Sequence, residues 1–450
     1  MGGYDAYEER RARVQADYAA LPAGAPVRLA KQTSNLFRTR AATTAPGLRV
    51  HDFSGVLSVD PERRTADVQG MTTYEDLVAA TLPYGLMPRV VPQLRTITLG
   101  GAVTGLGIES SSFRNGLPHE SVLELELMTG DGRVIVATPT NEHRALYYGF
   151  PNSYGTLGYA LRLTIELEPV QPYVELQHRR FTAATDLFAA MDEACAEPSG
   201  DFVDATLFSR GELYLTIGRF VPTADAVSDY TGMDVYYRSI QRRTHDVLTT
   251  HDYLWRWDTD WFWCSRAFGA QQPWLRRLWP KDRLRSDTYW RIVGWDRRYQ
   301  LSARYDRLRG RPARETVVQD IEVPIEKAPE FHEFFVNEIG ISPVWACPLR
   351  QRSADVTWDL YSLDPSKLYV NFGFWSSVPL QPDETEGTYN RRIEEKVEEL
   401  GGRKSLYSTA FYEEDHFWEL YGGSAYELLK KTYDPDGRLL DLYEKCVRRR

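Results

Sequence analysis

The chain has 450 residues, a net charge of −9, 12 Trp and 27 Tyr. A length of this order builds two or more structural units around sizeable cores. The acidic balance excludes a general nucleic-acid binder, whose phosphate affinity comes from clustered Lys and Arg.

The N-terminal text MGGYDAYEERRARVQADYAAL reads as an amphipathic helix within residues 1–25. It has no apolar core of a signal peptide, and no apolar run in the chain reaches membrane-spanning length. From Val56 the text predicts strand (VLSVD), turn, strand (TADVQGM) and then a helix in TTYEDLVAATLPYG, capped by Thr72 or Thr73 and ended by Gly85. LMPRVVPQ reads as a short extended piece. SVLELELMTGDGRVIVATPT predicts a hairpin turning at Gly130-Asp131-Gly132, and GTLGYALRLTIELEPV a glycine turn feeding a long strand. Strands predominate up to residue 170 without the regular strand–helix alternation of a doubly wound fold, so residues 26–170 read as an α+β unit. A second α+β unit with its own sheet is expected over 171–395, from the strand-like runs YVELQHRRF, DFVDATLF, ELYLTIGRF, TVVQDIEVPI and KLYVNFGF. Its helices are expected in ATDLFAAMDEACAE and APEFHEFFVNEIG. A mostly helical segment, 396–450, follows. Cys195, Cys264, Cys347 and Cys446 lie far apart without metal-ligand spacing, which reads as free thiols in a reducing compartment and predicts no metal.

The segment Thr98–Gly116, TLGGAVTGLGIESSSFRNG, concentrates glycine and serine. Gly105-Leu106-Gly107 begins a dinucleotide fingerprint, but Ser110 stands where its third glycine belongs and a hairpin follows in place of a crossover helix. No Gly-Lys-Ser/Thr occurs, which excludes a P-loop. A bare turn needs one or two glycines; this pattern fits backbone N–H groups and hydroxyls around a phosphate-bearing ligand.

Thr98-Leu99-Gly100-Gly101, then Gly105 through Ser112, resembles the FAD-binding segment of the Δ24-sterol reductase family within the PCMH-type (vanillyl-alcohol-oxidase) flavoproteins. DGRVIVATPTNEHRALYYGFPNSYGTLGYALRLTIEL, SPVWACPLR and AFYEEDHFWELYGGSAYELLKK resemble its later segments. The resemblance runs from about residue 30 to the end. It implies a PCMH-type FAD-binding domain over 26–170, a substrate (cap) domain over 171–395, and a C-terminal segment, 396–450, packing back near the flavin. FAD is then expected on Thr98, Leu99, Gly100, Gly101, Ala102, Val103, Thr104, Gly105, Leu106, Gly107, Ile108, Glu109, Ser110 and Ser111, with Gly155, Thr156 and Gly158 beside the flavin edge. A further flavin contact is expected at Lys31–Phe37. No His lies in Thr98–Gly116, and His119 just beyond it reads as a packing residue, so the FAD is expected to be noncovalent.

The resemblance implies reduction of an isolated C=C bond in a lipid, with hydride passing from NADPH through FAD. Such an alkene has no carbonyl to polarise it and needs a proton donor. Tyr412 and Glu109 are the leading donors, with Glu413 and His119 behind them. The Arg- and Ala-rich text reads as bacterial, where sterols are seldom made. The expected substrate is therefore a 10-methylene acyl phospholipid reduced to its 10-methyl form, with a lipid methyltransferase as functional partner. The alternatives are a Δ24-sterol-type side-chain reductase or an alcohol or aldonolactone oxidase. A binding protein that keeps a vestigial flavin fold is a non-enzymatic reading, and the intact glycines argue against it. From Arg276 to Arg314 thirteen Lys/Arg face four Asp, and Trp274, Trp279, Trp290 and Trp295 are interleaved. This predicts a peripheral contact of 274–314 with an anionic membrane, for an otherwise cytoplasmic protein.

Overall fold

The computed structural model describes every residue except 1, 23, 31–36, 39–46, 197–199, 300–303, 305–308 and 449–450. Lys31–Asn35 and Leu36, expected at the flavin, lie outside the described residues.

The first sheet is antiparallel. Its spatial order is Val56–Asp60, Thr65–Gln69, Tyr159–Pro169, Val122–Met128 and Val134–Ala137, and Leu86–Pro88 pairs with the end of Tyr159–Pro169. Local chemistry sets these elements. Thr73 caps the helix Tyr74–Thr81, its side chain accepting from the Asp76 N–H, and Gly85 takes the left-handed conformation at φ 69° that closes the following turn. The hairpin Val122–Met128/Val134–Ala137 turns through Gly132 at φ 84°.

The second sheet has eight antiparallel strands in the order His245–Thr249, Tyr173–Phe181, Glu212–Val221, Phe202–Ser209, Val344–Leu349, Tyr369–Pro379, Arg314–Pro324 and Arg403–Lys404. The helices Ala184–Ala196, Ala328–Phe334 and Thr388–Glu399 cover one face through Leu187, Met191, Phe331, Ile393 and Val397. The expected boundary at 395/396 falls inside the helix Thr388–Glu399. That helix cannot be divided there, because Ile393 and Val397 are buried together and Glu394 bonds Lys404 on the edge strand at 2.5 Å.

A short helix, Leu99–Gly105, runs through the glycine segment. Thr98 caps it by accepting from the Gly101 N–H at 3.2 Å. Leu99 and Val103, at i and i+4, are buried in the core away from the cavity, whereas Gly100, Gly101, Ala102 and Thr104 line the cavity side.

The two sheets are tied by a buried charge cluster. Arg256 Nη2 lies 3.2 Å from Glu109 Oε1 and 2.8 Å from Asp204 Oδ2, and all three side chains are almost wholly excluded from solvent. The guanidinium also sits 3.9 Å over the Tyr253 ring. Burial pushes Asp204 up to about 6 despite Arg256. Arg256→Met strands two carboxylates, and a broken buried pair costs about 3–5 kcal/mol. Urea denaturation of the variant is expected to register a loss of that order; a loss below about 1 kcal/mol would mean that protonation of the carboxylates compensates.

Candidate active site

A cavity of about 670 Å³ lies between the two sheets, within the range of small-molecule and cofactor sites. One wall is backbone-rich: Gly70, Gly100, Gly101, Gly105, Gly107, Gly155 and Gly158 all line it. Gly158 has no substitute, since it holds φ 146° and a Cβ there would stand 2.7 Å from the Met128 carbonyl oxygen. The opposite wall is aromatic, made by Trp261, Phe262, Trp345 and Trp375. Phe262 and Trp375 pack with ring centroids 4.3 Å apart. Phe37, Tyr407 and Lys445 also line the cavity, so segments from across the chain meet there. The Lys445 Nζ donates to the Tyr154 carbonyl at 2.7 Å.

The residues expected at a flavin divide into two groups. Thr98, Gly100, Gly101, Ala102, Thr104, Gly105, Leu106, Gly107, Ile108, Gly155 and Gly158 line the cavity. Leu99 and Val103 are buried in the core on the far side of the short helix, and Thr156 bonds the Ser153 carbonyl at 2.7 Å. Glu109, Ser110 and Ser111 are not on the cavity. Glu109 is held by Arg256, the Ser110 hydroxyl donates to Glu109 at 2.5 Å and pairs with the Tyr253 hydroxyl at 2.8 Å, and Ser111 donates to the Arg89 carbonyl at 2.9 Å. Glu109 and Ser110 thereby tie the segment to Arg256 and Tyr253, and Ser111 ties it to the Arg89 carbonyl.

The expected proton donors also lie elsewhere. Tyr412 is buried beside Phe417 and Tyr421 in the C-terminal helical packing, off the cavity. Glu413 is the N-cap residue of the helix Glu414–Leu420. His119 packs edge-on against Trp358 at 4.3 Å, and burial pushes its imidazole down to about 3. Among the described residues, no histidine lines the cavity.

Sequence reasoning missed the polar groups that do reach the cavity. Asp320, on the strand Arg314–Pro324, lines it; its carboxylate accepts from Asn371 Nδ2 at 3.4 Å and is hydrogen-bonded to the Tyr407 hydroxyl. Burial pushes Asp320 up to about 7, which favours its neutral acid form. Gln93 also lines the cavity, is 4% exposed, and has no protein partner for Oε1 or Nε2. An unpartnered buried amide beside an open backbone wall suits a large ligand rich in hydrogen-bonding groups.

Arg276, expected at a membrane surface, is buried: it pairs with Asp260 at 2.7 Å and donates to the carbonyls of Tyr230, Gly232 and Asp234. Its neighbours are different. Trp274 and Trp295 are 67% and 72% exposed, and Leu278, which lies between them in sequence, is also exposed. No described helix is long and apolar enough to cross a membrane.

Residues 14–138 match the family described as FAD binding domain. The chain is 25% identical over 398 residues to the Delta(24)-sterol reductase of Homo sapiens, covering 87% of this chain and 76% of that protein. It is 24% identical over 444 residues to the Delta(24)-sterol reductase of Arabidopsis thaliana, covering 89% and 76%. A shorter match, 32% identical over 132 residues, joins 29% of this chain to 24% of cytokinin dehydrogenase 10 of Oryza sativa subsp. japonica. The matched domain carries the glycine-rich segment and fits the backbone-rich wall of the cavity. The chain is an FAD-dependent oxidoreductase related to the Delta(24)-sterol reductases.

Proposed function

We propose that this protein reduces an isolated C=C bond in the aliphatic part of a lipid, drawing hydride from NADPH. The observation that carries the reading is the pairing of a glycine wall with a Trp/Phe wall in one cavity, in a chain similar along most of its length to Delta(24)-sterol reductases. Bound FAD would supply the relay of the electron pair. Thr98 and the glycines from Gly100 to Gly107 would hold it, with Gly155 and Gly158, and the bond would be noncovalent. Trp261, Phe262, Trp345 and Trp375 would exclude water and orient an apolar tail against it.

The shared name of the curated relatives favours a sterol-type side chain over the 10-methylene acyl chain expected from the sequence. The acyl reading stays as the second one because it is chemically parallel: a methylene group installed by a lipid methyltransferase leaves a 1,1-disubstituted alkene. Purified protein is expected to release FAD on acid treatment and to bleach anaerobically with NADPH. It is expected to add two hydrogens to a Δ24-unsaturated sterol, read by mass spectrometry. Faster turnover of a 10-methylene phospholipid would select the second reading. Peroxide formation from an alcohol or sugar, without bleaching by NADPH or NADH, would select an oxidase.

Gly101→Val tests the cofactor wall. A Cβ at Gly101 would stand 2.8 Å from the Thr98 capping oxygen, and the rest of the side chain would enter the cavity. The variant is expected to purify with under about a tenth of the wild-type flavin, the loss following from a blocked backbone approach. Full flavin content would remove this wall from the site.

We also propose that the exposed Trp274, Leu278 and Trp295 rest on an anionic lipid surface. Arg277, Lys281 and Arg283 are exposed within the same segment. Trp290, on the helix Ser286–Tyr299, packs on Phe37 and Trp261 of the cavity at 5.0 and 5.6 Å. Trp274→Ser/Leu278→Ser/Trp295→Ser should weaken binding to anionic vesicles and leave flavin content intact. Wild-type binding should fall as salt rises, through Debye screening. Unchanged vesicle binding by the triple variant would assign the patch to another contact.

A further inference from the structure

We propose that Asp320, held between Tyr407 and Asn371 at the aromatic wall, is the proton donor to the substrate alkene. The inference rests on the alkene-reductase reading above.

The geometry singles out this carboxyl. Glu109, Glu413, His119 and Tyr412 are off the cavity, whereas Asp320 lines it alongside Trp345 and Trp375. It stands opposite Gly373 on the paired strand. A Cβ on Gly373 would lie 2.5 Å from Asp320 Oδ1 and 2.7 Å from Trp375 Cη2, so the missing side chain lets the carboxyl and the indole share one site. Asn371 Nδ2 approaches Oδ1 at 3.4 Å, and Tyr407 is fixed in turn by the Trp375 Nε1–H at 3.1 Å.

The charged and titratable groups around it are otherwise engaged. Glu322, two residues along the strand, is bonded by the Tyr361 hydroxyl, and burial raises its carboxyl well above the usual carboxylate range. On the adjacent strand Lys404 bonds Glu394, and Arg403 donates to the Gly402 carbonyl. Lys445 bonds the Tyr154 carbonyl. No cation forms an ion pair with Asp320 among the described residues, and its pKa, raised to about 7 by burial, leaves a proton to give at neutral pH.

In the step itself the Asp320 O–H bond breaks. Its proton forms a C–H bond at one alkene carbon, using the π electron pair. The hydride that the proposed activity takes from NADPH completes the other carbon, so the carbon pair gains two electrons and the nicotinamide is oxidised. The carboxylate regains a proton from water. Positive charge that develops at the more substituted carbon faces the indole and phenyl rings of Trp261, Phe262, Trp345 and Trp375.

Asp320→Asn and Asp320→Glu test the assignment by rapid mixing, with the two half-reactions followed separately. Asp320→Asn should keep its flavin and still be bleached by NADPH. Its reoxidation by the alkene should slow at least about 100-fold, the usual range for a lost general acid, and Asp320→Glu should recover part of the rate. In wild type, reoxidation should fall as pH rises through about 7, because the acid form is lost there; Asp320→Asn should lack that limb. Wild-type product made in D₂O should carry one deuterium at the carbon that did not receive the hydride. Reoxidation of Asp320→Asn at the wild-type rate overturns the assignment and leaves the alkene-reductase reading standing. A wild-type enzyme that bleaches with NADPH but reduces no lipid alkene overturns both. If Asp320→Asn loses its flavin, the wild-type pH profile decides, and a flat profile across neutrality overturns the assignment.

Discussion

The architecture depends on one buried cation. Arg256 reaches Glu109 at the end of the glycine segment and Asp204 on the second sheet. A guanidinium with no access to water is tolerable only when its donors are met and its charge is balanced. Two carboxylates balance the charge, the Tyr253 carbonyl accepts from Nη1 at 2.9 Å, and the Tyr253 ring covers the guanidinium face, while Nε is left without a protein partner. The consequence is positional. The Ser110 carbonyl accepts from the Val203 N–H at 2.8 Å, so the glycine segment is stitched to the strand Phe202–Ser209 by backbone as well as by charge. The distance between the glycine wall and the Trp wall follows from that stitch.

The two walls have different chemistry because they come from different structural needs. The short helix Leu99–Gly105 spends its apolar residues on the core and turns glycines toward the cavity. The second sheet turns indoles and one carboxyl into the same space. Gly373 is the hinge of that arrangement in a steric sense: any side chain there would displace either Asp320 or Trp375. A polar group at an aromatic wall is expensive to bury, and here Asn371 and Tyr407 meet its lone pairs.

What could be read from the sequence was local. Thr73 and Gly85 bracket a helix by capping chemistry, and Gly132 marks a hairpin, because each needs only its neighbours. The glycine segment was legible as a ligand wall but not as a helix, since propensity argues against helix at Gly100-Gly101 and tertiary burial of Leu99, Ala102 and Val103 overrides it. Val344–Leu349 escaped notice as a strand because all six residues are buried and no alternation is left to detect. Asp320 and Gln93 carried no motif; they matter only through a cavity formed by residues distant in sequence. Arg276 misled for a related reason, since a charge count along the chain does not distinguish an arginine facing solvent from one satisfied by Asp260 and three carbonyls.

Some 340 residues separate Gly105 from Lys445, yet both line the same cavity. At synthesis rates of about 5–20 residues per second, roughly 20–70 s pass between the two emerging from the ribosome's catalytic centre. During that interval the cofactor wall exists without its lid of aromatic and C-terminal residues. Capture of the cofactor in its final enclosure is therefore a late event in the life of each nascent chain. Because the cofactor binds the assembled cavity, its free concentration adds to the stability of the finished chain and not of the partial one.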